Sequence, residues 1–439
     1  MIKKGDKKVI RGWVFYDWAN SVYNLVISSA VFPIFFDNIT TSRYLAEKGW
    51  DELPEGHEVM VNFMGMETSN SALMAYVLSA SFLLVSILSP MLSGVADFSG
   101  NKKRFMQFFA YLGSMACMSL FWFDKAPIEV GMLSIFLASI GFWNSLVFYN
   151  AYLPEIAEPE DHDKISARGF SMGYFGSMIL LVICLAIIMG IGPEYTKWSF
   201  LLVGVWWIGF SQVTYRVLPN NVYNKKPQKG VIWKGFKELK LVFAEFSTIK
   251  RLKRFLLAFF FYNTGVQTVM LLAVLFAKKE IAWPEGGGDT GLIVSILLIQ
   301  ILGAVGAFIM SRLSGIIGNI KTLAISVTIW VGICIAAFYI DTPVQFYFLA
   351  AAVGLVMGGV QALSRSTYSK FLPETKDHAS YFSFFDATEK IGIVVGTFSF
   401  GFLNDYFGSI RYSVISITLF FAIGLLMLFF VPRLKKAEA

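Results

Sequence analysis

Twelve apolar runs, most of 20 residues or more, punctuate this chain and leave it few choices of fold. In hydrocarbon every backbone N–H and C=O must find a partner within its own segment, so runs of this length become helices that cross a bilayer. They fall at approximately 12–37, 71–96, 105–123, 128–153, 168–190, 197–218, 254–277, 289–313, 321–340, 343–369, 379–404 and 411–432. Only 15% of the residues are charged, where a soluble protein carries roughly a quarter. The expected fold class is therefore an all-α polytopic membrane protein with 12 transmembrane helices. The first run, Trp13 to Phe36, is too long for a signal-peptide core and lacks a small-residue cleavage site, so it reads as a span.

An even number of spans puts both termini on one side. Of the 37 Lys and Arg residues, 28 fall on that side, 7 on the other, and 2 (Arg365 and Lys390) within spans. The positive-inside rule then predicts cytoplasmic termini in a multi-pass cell-membrane protein, the inner membrane if the source is prokaryotic. The acidic first outer loop, Asp37 to Glu67, agrees. The same rule accounts for the net charge of +7 without nucleic acid. Cys117, Cys184 and Cys334 lie in apolar runs and read as packing residues, whereas His57, His162 and His378 are expected in loops.

The chain repeats itself. Ser93-Gly-Val-Ala-Asp-Phe-Ser-Gly100-Asn-Lys-Lys103 after helix 2 matches Ser311-Arg-Leu-Ser-Gly-Ile-Ile-Gly318-Asn-Ile-Lys321 after helix 8. Tyr149-Asn-Ala-Tyr-Leu-Pro-Glu155 matches Tyr368-Ser-Lys-Phe-Leu-Pro-Glu374, and Tyr16-Asp17 pairs with Tyr262-Asn263. Duplicated six-helix halves are the architecture of alternating-access transporters, which hold substrate between them. The expected organisation is a first half at 1–219, a basic cytoplasmic linker at 220–253 and a second half at 254–439. Within the linker Ile232, Phe236, Leu239, Phe243 and Phe246 recur at helical spacing, which predicts an amphipathic helix on the inner leaflet among membrane lipids.

Gly94-Val-Ala-Asp97-Phe-Ser-Gly100-Asn-Lys-Lys103-Arg104 resembles the signature between helices 2 and 3 of the major facilitator superfamily. Tyr16-Asp-Trp-Ala-Asn20-Ser-Val-Tyr23, Tyr152-Leu-Pro-Glu155-Ile-Ala, Gly358-Gly-Val-Gln361-Ala-Leu-Ser-Arg365-Ser and Phe384-Phe-Asp386-Ala-Thr-Glu-Lys390 resemble its vacuole effluxer-like branch. The resemblance covers nearly the whole chain. It implies a major-facilitator fold with helices 1, 4, 7 and 10 lining the cavity, and a default of a monomer. Fungal members of that branch are associated with amino-acid export from the vacuole, and most bacterial members have no assigned substrate. The second copy of the loop signature departs from the first in having Gly315 where the first has Asp97, so a contact made by that carboxylate belongs to one half only.

Polar groups within the spans carry the functional signal, because each is costly in hydrocarbon. Asp17, Asn20, Ser21 and Asn24 form one stripe at i, i+3, i+4 and i+7. Asn20 and Asn24 offer donors and acceptors to a substrate, the alternative being hydrogen bonds to neighbouring helices. Asp17, about 9 Å from Arg11 along a helix, is expected to gate. Helix 10 carries Gln361, Ser364, Arg365 and Tyr368 on one face; Arg365 either snorkels or holds a substrate carboxylate or a helix 11 acid.

Helix 11 carries Asp386, Glu389 and Lys390, about 18 Å from His378 at the level of Lys390. Asp386 and Lys390 at i, i+4 are spaced to neutralise each other, which leaves Glu389 as a carboxylate able to load and release a proton. The same charges could instead form a structural cluster that closes the cytoplasmic side with Arg365. Asp97 with Lys102, Lys103 and Arg104 reads as a gating cluster. Asn144, Tyr149, Asn150, Asn263 and Gln267 add cavity polarity.

These residues together predict a proton-coupled secondary transporter of small polar organic solutes with no cofactor, and it is mainly the family resemblance that makes amino acids or short peptides the expected cargo. No phosphate-binding loop, Ser-His-Asp set or metal-ligand cluster points to ATP-driven transport or to an enzyme. Two rivals stand: a transporter of amphipathic or lipid-like molecules, and a non-transporting sensor that keeps the fold.

Overall fold

The computed structural model describes residues 4–54, 57–223, 231–284 and 288–432. The first six long helices are α1 (Lys7–Lys48), α2 (Asn70–Ser99), α3 (Lys102–Trp122), α4 (Ile128–Ile156), α5 (Pro159–Gly190) and α6 (Trp198–Val217). A linker helix, Val231–Thr248, follows. The last six are α7 (Lys250–Glu280), α8 (Gly288–Ile317), α9 (Asn319–Tyr339), α10 (Pro343–Phe371), α11 (His378–Phe407) and α12 (Ile410–Phe429). Among the described residues, ten of these are long and apolar enough to cross a membrane. The other two, α6 and α11, fall short of that measure but pack on the bundle, α6 on α1 and α3 and α11 on α2 and α7, which is consistent with twelve crossings.

The duplication seen in the sequence reappears as packing. In the first half α1 lies against α5 and α6, α4 against α2 and α3, and α3 against α6. Adding six to each number gives the contacts of the second half: α7 with α11 and α12, α10 with α8 and α9, and α9 with α12. The halves meet where α2 packs on α11 and α5 packs on α8 and α10. Gly358 makes one of the tight contacts within the second half, since a Cβ there would run into the Gly303 backbone of α8. Small residues at such crossings let backbones approach and gain dispersion contacts that lipid would not supply.

α1 departs from the expectation of a plain span. Asp6 caps it by accepting from the backbone N–H of Lys8 and Val9, and the helix then passes through a π-helical stretch, Tyr23–Ala30, before resuming at Phe32. Such stretches are rare and recur at functional sites, because the wider turn shifts side-chain direction. A two-stranded hairpin, β1 (Met60–Phe63) and β2 (Met66–Ser69), stands in the first loop. Its turn residues Met64 and Gly65 take φ of 52° and 83°, the left-handed pair that matches strand twist.

The linker helix is amphipathic as expected, but it is docked on the bundle and does not simply lie on a leaflet. Gly235, Val242 and Phe246 are buried against α2 and α11. Gly94 of α2 and Gly235 leave no room for a Cβ on either side, and Phe246 packs on Phe384 with ring centroids 5.4 Å apart. Of the predicted stripe, Phe236, Leu239 and Phe246 turn inward, Phe243 is 58% exposed, and the side chain of Ile232 lies outside the described residues. Trp233, Leu241 and Phe243 are the helix's exposed large apolar side chains. The paired glycines are the reason: they create a slot in which the helix bridges the two halves.

Candidate functional site

The Asp386-Ala-Thr-Glu389-Lys390 segment builds a polar cluster midway along α11. Helical spacing stacks Asp386 beneath Lys390, and the ammonium lies 3.2 Å from Asp386 Oδ1. The same nitrogen is 3.0 Å from Glu389 Oε2 and 3.4 Å from the centre of the Trp143 ring of α4. Lys390 is fully buried, so its charge survives only through these partners. The expected self-contained Asp386–Lys390 pair is thus a triad, and Glu389 does not stand free of it. Gln267 of α7 donates to Glu389 Oε1 at 2.7 Å. The Ser89 hydroxyl of α2 lies 3.2 Å from Asp386 Oδ2 and 3.1 Å from Asn144 Oδ1. The Asn144 amide in turn donates to the Ile140 carbonyl at 3.0 Å. Residues from both halves therefore converge on one cluster, with the Glu389 side chain 17% exposed.

A second network lies nearer the side of the linker. Arg365 of α10 reaches Asp17 of α1, both guanidinium Nη atoms lying 3.2 Å from Oδ2. Tyr149 donates its hydroxyl to the same oxygen at 2.8 Å, and Trp13 donates to the Tyr149 carbonyl. Arg365 also donates to the Ser166 hydroxyl and carbonyl at 2.9 and 3.0 Å and to Asn150 Oδ1 at 3.3 Å. Its planar cation is flanked by Trp13 and Phe170, at 4.8 and 4.2 Å from their ring centres. This use of the planar fork and both faces is particular to arginine. Arg365, considered as a partner for a substrate carboxylate or a helix 11 acid, is thus engaged by Asp17. Gly169 of α5 makes room for the pair, since a Cβ there would sit 2.9 Å from Arg365 Nη2 and against Asp17 Oδ2.

At the end of the bundle that faces the linker, two further sets of contacts join the halves. Asp97 accepts from the backbone N–H of Ala379 and Ser380 at 3.2 and 2.6 Å and from the Ser380 hydroxyl at 2.8 Å, capping the start of α11. Of the basic residues expected around Asp97, Lys102 acts on its carboxylate through charge while bonding elsewhere. Lys102 pairs with Glu155, Lys103 donates to the Leu218 carbonyl at the end of α6, and Arg104 is exposed. His378 is not in a loop: it begins α11, buried, with Nδ1 3.2 Å from Glu155 Oε1 and 3.2 Å from the Tyr223 hydroxyl. Burial, with Glu155 nearby, pushes the Tyr223 phenol pKa upward. The second half has a counterpart despite Gly315. There Asp163 of α5 accepts from Ser314, from Asn319 and from Lys370, at 2.8, 2.7 and 2.6 Å. The carboxylate lost from the repeated loop is supplied by the opposite half.

The remaining expected residues are scattered around these networks. Gln361 accepts from the Tyr174 hydroxyl at 2.7 Å across the halves. Asn20 and Asn263 are buried, each with an amide nitrogen that has no hydrogen-bond partner among the described residues, and Asn24 is exposed within the π-helical stretch. Ser89, Trp143, Ser166, Glu155, Asp163, Lys370 and His378 take part although sequence reasoning does not mark them as site residues. Glu155 lies inside one of the family-like motifs; Ser89 and Trp143 carry no spacing signal that could find them. Among the described residues no three His, Cys, Asp or Glu side chains converge as a metal site.

Known proteins resemble this chain in sequence and in fold. Residues 5–439 match the family described as vacuole effluxer Atg22 like. An uncharacterised MFS-type transporter of Bacillus subtilis, YxiO, is 28% identical over 99% of this chain and 96% of its own length. Autophagy-related protein 22-1 of Penicillium rubens is 24% identical over 98% of this chain and 91% of its own. Among solved structures, the proton:xylose symporter XylE superposes with a TM-score of 0.68 at 13% identity, covering 97% of this chain and 95% of that one. The human organic anion transporter MFSD10 gives 0.66 at 12% identity over 96% and 98%. At those identities the structures speak to the fold alone. The chain belongs to the vacuole effluxer Atg22-like family and is a multi-pass transporter of the major facilitator type.

Proposed function

We propose that this protein is a proton-coupled secondary transporter of small polar organic solutes, amino acids or short peptides, working by alternating access. The observation that carries the reading is the α11 cluster: two carboxylates, a buried lysine and two amides from both halves, placed mid-bundle with Glu389 partly open to solvent. The ion pairs Asp17–Arg365 and Asp163–Lys370 and the Glu155–His378 contact, which join the halves, lie in the part of the bundle nearest the linker. With the termini in the cytoplasm this is an outward-facing conformation, with Asp17–Arg365 as the inner gate. Arg365 is occupied by Asp17 in this conformation, so the charged group offered to a solute is the Glu389 carboxylate. A carboxylate beside amide side chains suits a solute that carries an amino group.

The test is charge movement in proteoliposomes on a sensor surface. Amino acids, dipeptides, sugars and organic acids are screened with and without a pH gradient, with Glu389→Gln alongside. A solute-specific current that needs the gradient and is lost in the variant is expected. A current that ignores the gradient would remove proton coupling. A response confined to sugars or organic acids would remove the amino-group reading.

A further inference from the structure

Among the described residues the α11 cluster is one hydrogen short. Lys390 has three N–H groups, directed at Asp386 Oδ1, Glu389 Oε2 and the Trp143 ring. Gln267 serves Glu389 Oε1, so both oxygens of Glu389 have donors and that side chain is complete as a carboxylate. Asp386 Oδ2 and Asn144 Oδ1 are left, and both face Ser89 Oγ, at 3.2 and 3.1 Å. A serine hydroxyl carries one hydrogen and can serve one of them. The Asn144 amide cannot be turned round to help, because its nitrogen donates to the Ile140 carbonyl and a flip would set two oxygens against each other. All three groups are buried, Ser89 and Asn144 completely, so an unmet acceptor there is costly.

We propose that a proton resides on Asp386 Oδ2 in this conformation, and that Asp386 rather than Glu389 is the proton-carrying residue. This rests on the proton-coupled reading above and names its site. With that proton in place Asp386 donates to Ser89, Ser89 donates to Asn144 and Asn144 donates to Ile140, and every group in the chain is satisfied. Charge agrees with the count. Lys390 and Glu389 then form a neutral pair, whereas two ionised acids would leave a net negative charge around a fully buried lysine. The charged groups facing Asp386 are Lys390 and Glu389 on its own helix. Toward the cluster α2 presents Ser89, α4 presents Asn144 and Trp143, and α7 presents Gln267; Glu245 of the linker helix faces Tyr381 instead. Because Ser89 and Asn144 belong to the first half and Asp386 to the second, the proton ties the halves together. Its loss leaves one hydrogen for two acceptors across the interface that has to open. Glu389, ionised, paired with Lys390 and partly exposed, is then the carboxylate that meets the solute while Asp386 carries the proton.

Infrared difference spectroscopy on the full-length protein in lipid tests this without any solute, by following the C=O stretch of a protonated carboxyl as pH is varied. The wild type is expected to show a band that is abolished in Asp386→Asn, retained in Glu389→Gln, and moved to higher frequency in Ser89→Ala, where the acid loses its acceptor. In Asp386→Asn the introduced amide can donate to Ser89 as the acid does, so this variant is expected to fold; should it not, the Ser89→Ala shift decides the matter. A band that follows Glu389, or one indifferent to Ser89, overturns the assignment. A band that behaves as expected beside currents that ignore a pH gradient would sink proton coupling and leave the proton site standing. Gradient-driven currents with a band that follows Glu389 would do the reverse.

Discussion

At the residue scale the Asp17–Arg365 contact shows how a buried charge is made tolerable. Four polar groups and three aromatic rings surround the guanidinium, and any single replacement strands the partner that remains. Removing one member of a buried pair costs about 3–5 kcal/mol, while removing both at once is much milder. Asp17→Asn is therefore expected to lower the unfolding temperature of the purified protein, and Asp17→Asn with Arg365→Gln to recover part of the loss. A thermal-shift series on Asp17→Asn, Arg365→Gln and the double variant is enough to check it. Strictly additive losses would show that the two side chains do not act as a pair.

At the scale of elements, the linker helix is the clearest case of a sequence pattern that admits two structures. Its apolar stripe could satisfy a leaflet or a protein surface, and the close fit of Gly94 and Gly235 selects the bundle. Gly235→Leu is expected to expel the helix. Hydrogen exchange across Val231–Thr248 would then rise toward that of an unpacked helix, while amides in α2 and α11 stay protected. Unchanged exchange would mean that the slot is not what holds it. Within α1, the π-helical stretch sits shortly after Asn20 and contains Asn24, so one polar stripe in the sequence is divided between a buried and an exposed amide.

For the whole molecule, the two halves are joined on the linker side by a reciprocal arrangement. Asp97 and the Glu155–Lys102 pair of the first half hold the start of α11. Asp163 at the start of α5 is held by Ser314, Asn319 and Lys370 of the second half. Weakening both with Glu155→Gln and Asp163→Asn is expected to shift the population toward the state open on that side. Thiol labelling of Ser383→Cys, buried on α11, should then accelerate by about tenfold, the effect of roughly 1.4 kcal/mol on a two-state balance. An unchanged labelling rate would show that these contacts do not set the balance.

The membrane class, the spans, the duplication and the helix that carries the mid-membrane charges were all legible before any folding. Each of these is written in local periodicity, hydropathy or self-similarity, and the packing of α1–α6 is indeed repeated by α7–α12. Which side chains meet was left to the packed bundle. Asp17 and Arg365 are 348 positions apart, and Ser89 and Asp386 are 297 apart, so no spacing rule couples them. The absence of Asp97 from the second copy suggested a contact confined to one half, yet Asp163 supplies a carboxylate there from another helix. The physical reason is that a charge in hydrocarbon requires a partner but does not specify which one. The crossing of helices, set by small residues and by the meeting of two halves, makes that choice.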